Sequence, residues 1–147
     1  MTFLQLLKQL FSTSPPVKPI LRRSIDVYEL SNVLAEKFPD TEIYLSDRTK
    51  YLCDIEDIKT FLAQDETNRT KYVAEAFDCD DFAYRLKGQF SVHGWAELAT
   101  GIVWTNCHAL NIVVDANLDV WIIEPQSDKI QSNLEEWQGD SIRFIII

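Results

Sequence analysis

Four short segments rich in β-branched and aromatic residues dominate the second half of the sequence. They read GIVW, HALNIVVD, DVWIIEP and SIRFIII, and turn residues separate them. Segments of this length and composition are typical of β-strands joined by tight turns. The pattern predicts an antiparallel β-meander over roughly the last third of the chain.

The first half favours helices with one short strand. A helix is predicted from Ser24 to Phe38, the segment TEIYLSD is predicted to be a strand, and DIEDIKTFLAQD is predicted to be a helix capped by Asp54. A further helix is expected from Cys79 because its apolar residues recur at helical spacing. Helices followed by a meander indicate an α+β fold and exclude a doubly wound sheet.

A chain of 147 residues is long enough for one domain with a substantial core. Residues 16–147 are therefore interpreted as a single α+β domain, and residues 1–15 as an N-terminal helical arm. The arm carries one apolar stripe, formed by Phe3, Leu7, Leu10 and Phe11. This stripe is expected to dock on the domain itself or on a partner protein.

Charge and cysteine content narrow the class of protein further. A net charge of −9 argues against a nucleic-acid partner, and no apolar run is long enough to span a membrane. The start of the chain lacks the pattern of a secretory signal. Three cysteines, an odd number, favour a reducing compartment over a disulfide framework, so the expected localisation is the cytoplasm.

The segment EAFDCDDFAYRLKG places acidic residues around Cys79 at the start of a predicted helix. Asp78 occupies the expected N-cap position and Asp81 the third helical position, which permits a capping box. Acids engaged by backbone N–H groups would not oppose a thiolate, and a helix N-terminus favours one. Cys79 is therefore a candidate nucleophile, with a small buried side chain as the alternative interpretation.

A nucleophilic cysteine needs a base and a group that orients the base. His108 begins one predicted strand and Glu124 lies on the next. If the connection DANLD forms a loop with an odd number of residues, His108 and Glu124 share one face of the hairpin within reach of each other. An even loop would place them on opposite faces. Asp115 is too far along the strand from His108 to orient it.

The ordered segments DCDDFA, HALNIVVD and WIIEP resemble papain-like and transglutaminase-like cysteine peptidases. The resemblance includes bacterial transglutaminase-like peptidases and the protease domain of a calcium-dependent fungal lectin. It implies a papain/transglutaminase-like fold and a cysteine hydrolase that cuts peptide or amide bonds. It also implies a thioester on Cys79, a base at His108 and an orienting acid at Glu124, with a peptide or protein as substrate.

Two further interpretations concern binding. Asp80, Asp81 and Gln126 offer oxygen ligands suited to Ca²⁺, Mg²⁺ or Mn²⁺, although the peptidase chemistry requires no cofactor. The chain is alternatively a catalytically inactive, peptidase-like binding module of a phage or mobile element that recognises peptide or sugar. In that case the tryptophans could build an aromatic cleft: Trp95, Trp104, Trp121 and Trp137.

Overall fold

The computed structural model describes residues 17–134 and 140–147. Within these residues the helices are α1 (Val27–Lys37), α2 (Ile55–Gln64) and α3 (Cys79–Phe90), and a 3-10 turn covers Thr67–Arg69. The strands are β1 (Arg23–Asp26), β2 (Glu42–Tyr44), β3 (Thr49–Leu52), β4 (Thr100–Thr105), β5 (Ala109–Val114), β6 (Val120–Glu124), β7 (Lys129–Gln131) and β8 (Ile142–Ile146).

A six-stranded sheet with the order β2-β8-β4-β5-β6-β7 forms the centre of the structure. Strand β2 runs parallel to β8, and the other neighbouring strands of this sheet are antiparallel. Strands β1 and β3 form a separate antiparallel pair. Gly101 permits the close approach of β4 to the end of β8, because a Cβ atom there would overlap the carbonyl oxygen of Ile146.

Helices cover both faces of the six-stranded sheet. Leu30 and Leu34 of α1 pack against one face in a cluster that includes Leu110 and Ile112. Helices α2 and α3 contribute to a second cluster on the other face, which includes Val113 and Ile123 of β5 and β6. Side chains alternate between the two faces of a strand, and helices cover both faces of this sheet. The side chains on both sides of its central strands are therefore buried, which explains why the sequences of these strands are continuously apolar.

The predicted order of helices followed by a meander is wrong. Three strands lie in the first half, β8 returns to pair with β4, and the parallel β2–β8 pair makes the sheet mixed. Ser24 belongs to β1, and α1 begins only at Val27. Asp26 is its N-cap, and its carboxylate accepts hydrogen bonds from the backbone N–H groups of Tyr28 and Glu29 at 2.9 Å. Strands of three or four residues are too short for periodicity to reveal.

Other predicted elements agree with the structure. The segment TEIYLSD contains β2, the helix after Asp54 is α2, and the helix at Cys79 is α3. The predicted arm of residues 1–15 lies outside the described residues. None of the described helices is both long enough and apolar enough to span a membrane.

Candidate functional site

His108 and Glu124 meet at one end of the β5–β6 hairpin. Five residues, Asp115–Asp119, connect the strands, and Val114 pairs with Val120, so the loop has the odd length. Nε2 of His108 lies 2.7 Å from Oε2 of Glu124, and both side chains are largely buried. The second carboxylate oxygen accepts a hydrogen bond from the backbone N–H of Gln126 at 3.1 Å. Both oxygens of Glu124 are therefore engaged, which fixes the orientation of the imidazole.

The start of α3 carries the predicted acidic cluster. Asp78 is the N-cap, and the Asp81 carboxylate accepts a hydrogen bond from its backbone N–H at 3.2 Å, in a capping box. A hydrogen bond between the carboxyl groups of Asp78 and Asp80 lowers the pKa of Asp78 and raises that of Asp80. The Asp81 carboxylate therefore caps the helix terminus, whereas the carboxyl groups of Asp78 and Asp80 interact with each other.

Ligating atoms of Asp78, Cys79 and Asp80 lie within 4.8 Å of one another. This is the arrangement of described residues that could hold a divalent cation at this helix start. Of the predicted ligands, Asp80 belongs to the cluster, and Asp81 is engaged in the capping box. Gln126 contacts Glu124 through its backbone N–H.

Cys79 is half-buried beside the start of β5. Its side chain packs against a small buried cluster of Ala83, Ile102 and Ala109, and the last of these directly follows His108. Helix α3 is held on the strands by Asn111, whose side-chain amide donates to the carbonyl oxygens of Ala83 and Gly101 at 3.0 and 3.2 Å. This contact holds α3 against β4 and β5.

The other two cysteines have different surroundings. Cys53 is buried, and burial raises the pKa of its thiol to about 12. Cys107 is exposed, and its Sγ atom lies 3.2 Å from Oδ2 of Asp140, a hydrogen bond that raises the pKa of the thiol. Neither thiol is in a setting that favours the thiolate.

Four aromatic side chains form a continuous strip across α3, β4, β8 and β2. The ring centroids are 5.9 Å apart for Tyr84 and Trp104, 5.9 Å for Trp104 and Phe144, and 6.5 Å for Phe144 and Tyr44. Tyr84 and Tyr44, at its two ends, are 52% and 56% exposed. We call Tyr84, Trp104, Phe144 and Tyr44 the aromatic strip. Trp104 packs against the same buried cluster as Cys79, so the strip borders the start of α3.

Trp95 and Trp121 do not contribute to the strip. Trp95 is buried and donates its indole N–H to the carbonyl oxygen of Val17 at 2.9 Å. Trp121 donates to the buried carboxylate of Asp115 at 2.9 Å. Trp137 lies outside the described residues. Trp95 and Trp121 therefore belong to the interior packing, and Trp95 also lines a cleft between α2 and α3, so the tryptophans do not come together in one aromatic cleft within the described residues.

Residues 22–146 match the sequence model of the ricin-type β-trefoil lectin C-terminal domain. The chain belongs to this family. The match covers both sheets and all three helices, so the fold described above is the fold of a lectin C-terminal domain. No curated protein matches the sequence of this lectin domain.

Two solved structures are similar to this lectin domain over 84% of its length, both at 23% sequence identity. The PSL1a–E64 complex matches with a TM-score of 0.73. Polyporus squamosus lectin, bound to the human-type influenza-binding epitope Neu5Aca2-6Galb1-4GlcNAc, matches with a TM-score of 0.69. The chain spans about half of each structure, 50% and 49% respectively. At 23% identity, the similarity to these two structures shows a shared fold.

These findings correct the resemblance drawn from the sequence. The papain/transglutaminase-like family and fold class are wrong, because the family model and the similar structures are those of lectins. The predicted cysteine hydrolase with a peptide or protein substrate is wrong for the same reason. The ordered Cys79, His108 and Glu124 motifs are short, and short motifs in a common order are weak evidence for a family.

The sequence reasoning missed three of the four residues of the strip: Tyr84, Phe144 and Tyr44. Tyr84 departs from the apolar face of α3, and an exposed aromatic residue on a helix was a signal that could have been used. Phe144 and Tyr44 lie far apart in sequence and meet only because β8 pairs with both β4 and β2. Periodicity within one segment does not indicate such a pairing.

Proposed function

We propose that this chain is a non-enzymatic carbohydrate-binding domain and that the aromatic strip is its sugar-binding surface. The observation that carries the proposal is the row of contiguous rings, with exposed tyrosines at both ends, in a member of a lectin family. A monomeric protein rarely exposes contiguous aromatic side chains without a binding role.

The chemistry of a pyranose ring suits such a strip. One face of the ring presents C–H groups, which are weakly positive and pack against the negative face of an aromatic ring. Its hydroxyl groups lie at the edge and need polar partners. The hydroxyl of Tyr44 already donates to the Glu42 carboxylate at 3.0 Å, so a charged acceptor stands at one end of the strip.

We further propose that the polar groups near the start of α3 border this surface. Cys79 and Trp104 pack against the same cluster, and that cluster contains Ala109, the neighbour of His108. In this proposal the His108–Glu124 pair contributes oriented polar atoms to the sugar hydroxyl groups.

The charge of the chain favours neutral sugars. The ligand of Polyporus squamosus lectin ends in Neu5Ac, which carries a carboxylate. The chain has a net charge of −9, and Glu42, Asp78 and Asp80 lie at or near the strip. Like charges oppose binding. We therefore expect Galb1-4GlcNAc to bind more tightly than Neu5Aca2-6Galb1-4GlcNAc.

The test is a glycan array followed by calorimetric titration of the best ligands. Tyr84→Ala and Trp104→Ala should weaken binding, whereas Tyr28→Ala should not, because Tyr28 is exposed on α1, outside the strip. Tyr84 is exposed, so its variant tests the surface even if loss of Trp104 affects folding. Glycan affinity that is unchanged in folded Tyr84→Ala, or no glycan binding by the wild-type chain, would contradict the proposal.

A further inference from the structure

A concave surface lies between α2 and α3, and none of the strip residues lines it. Its volume is about 490 Å³, within the range of small-molecule sites. Helix α2 contributes Phe61 and Gln64, helix α3 contributes Arg85 and Gln89, and the loop after α3 contributes His93 and Trp95. We call the surface lined by these residues the α2–α3 cleft.

Packed aromatic rings form a rigid floor. The ring of Phe61 stacks on Phe90 with centroids 4.1 Å apart, and it meets Trp95 at 4.6 Å. Phe90 and Trp95 are nearly inaccessible to solvent, whereas Phe61 is only half-buried. The Trp95 indole is also tied to Val17 by its N–H. A ligand that enters the cleft therefore meets an aromatic side chain that is already held in place.

The polar groups around the cleft fall into two sets. Three of the charged side chains are engaged within the protein: Arg85 donates to Thr70 Oγ1 at 2.6 Å, Glu66 pairs with Arg69 at 3.1 Å, and Asp65 accepts from the backbone N–H of Thr67 at 2.8 Å. The amides of Gln64 and Gln89, by contrast, form no hydrogen bond with any residue in 17–134 or 140–147. Each amide can both donate and accept, and the two stand on the two helices that form the cleft.

The charges that line the cleft cancel. Lys18 and Arg85 are cationic, and Asp65 and Glu66 are anionic. A neutral ligand with both donors and acceptors matches this lining better than an ion does, because neither sign of charge is favoured. An aromatic floor beneath two amides suits a ring with one apolar C–H face and hydroxyl groups at its edge.

We propose that the α2–α3 cleft is a second carbohydrate site, which takes a single neutral sugar ring. The ring packs on Phe61, and its hydroxyl groups exchange hydrogen bonds with Gln64 and Gln89. This site is independent of the aromatic strip, since its residues and those of the strip do not overlap.

The test is calorimetric titration of the full chain with methyl β-D-galactoside, methyl β-D-glucoside and methyl α-D-mannoside, with cyclohexanol as an apolar ring of similar size. At least one hexoside should bind and cyclohexanol should not. Gln64→Ala and Gln89→Ala should each lower hexoside affinity by about fivefold or more, the loss expected when one good hydrogen bond is removed. Both residues are exposed on helices, so the variants should fold.

Asn117→Ala removes an exposed amide that is not part of the cleft lining and should leave the affinity unchanged. Tyr84→Ala separates the two sites: it should impair glycan binding on the strip and leave hexoside binding in the cleft intact. The proposal is overturned if no hexoside binds, or if affinity is unchanged in both glutamine variants. It is also overturned if Tyr84→Ala alone abolishes hexoside binding, because the strip would then be the site.

Discussion

Glu124 holds the ring of His108 through a contact of 2.7 Å between Oε2 and Nε2, where the two side chains are only 12% and 15% exposed. A polar pair shielded to this degree differs from an ion pair on the surface. Truncation of Glu124 removes a hydrogen bond in a largely buried setting, where the loss exceeds that of a solvent-exposed bond.

Glu124→Ala should therefore lower the free energy of unfolding by about 2 kcal/mol, because the shielded contact between the carboxylate and the His108 ring is lost. Glu124→Gln should cost less, since an amide oxygen can still accept a hydrogen bond. Urea denaturation at neutral pH measures both. Glu66→Ala is the control: Glu66 pairs with Arg69, but the two side chains are 70% and 66% exposed, and we expect a loss below about 0.5 kcal/mol. Equal losses at the two sites would refute this view of the pair.

Local features of this region could be predicted in part from the sequence. Alternation of side chains along strands left Glu124 two possible faces relative to His108, and the five-residue connection in the structure decides between them. The capping box of Asp78 and Asp81 follows from their spacing. These are short-range relations, in which neighbouring backbone geometry decides the outcome.

Features that depend on pairing across the chain could not be predicted in this way. Trp104 and Phe144 stack because β8 lies between β4 and β2, and nothing within SIRFIII specifies those neighbours. The same limit affected the family assignment. Cys79, His108 and Glu124 were interpreted through three short motifs, whereas the lectin family is recognised over 125 residues, 22–146.

Two glycines provide a matched pair of substitutions. Gly101→Ala should destabilise the fold by about 2–4 kcal/mol, because the new Cβ would overlap the backbone of β8 at Ile146 and force β4 and β8 apart. Gly88→Ala should stabilise it by about 0.5–1 kcal/mol, because Gly88 lies within α3 with open space around it and alanine is the better helix former. Thermal and urea denaturation test both. A neutral Gly101→Ala would contradict the close approach of the two strands.

The turn between β6 and β7 contains a carboxyl group that is unfavourably placed for ionisation. Burial, together with the charge of Asp65, raises the pKa of Asp128 to about 6, compared with about 3.9 in an unfolded chain. The ionised form is therefore penalised in the folded state. This penalty on folding stability is absent below about pH 4, grows between about pH 4 and pH 6, and is complete above about pH 6.

Asp128→Asn should consequently stabilise the protein at pH 8, by about 1 kcal/mol after allowance for solvent screening of a partly exposed group. The advantage should shrink toward zero at pH 4. Asn also tolerates the left-handed backbone at this position, where φ is 60°. Asp40→Asn controls for that preference, since Asp40 is exposed and has a φ of 67°. A gain for Asp128→Asn that does not vary with pH would point to the backbone instead of the charge.

Asp78 and Asp80 present the remaining test, because their carboxyl groups and the thiol of Cys79 lie close together at the start of α3. A divalent cation between the two carboxylates would neutralise both charges. We expect millimolar Ca²⁺ to raise the melting temperature of the wild-type chain and to do so much less in Asp80→Asn, which removes one charged ligand. In a chelator, Asp80→Asn should melt no lower than wild type, since it relieves repulsion between like charges. Asp119→Asn, an exposed acid in the β5–β6 turn, should respond to Ca²⁺ as wild type does. An equal Ca²⁺ response in wild type and Asp80→Asn would exclude Asp80 as a ligand, and no response in either would exclude a calcium site at the start of α3.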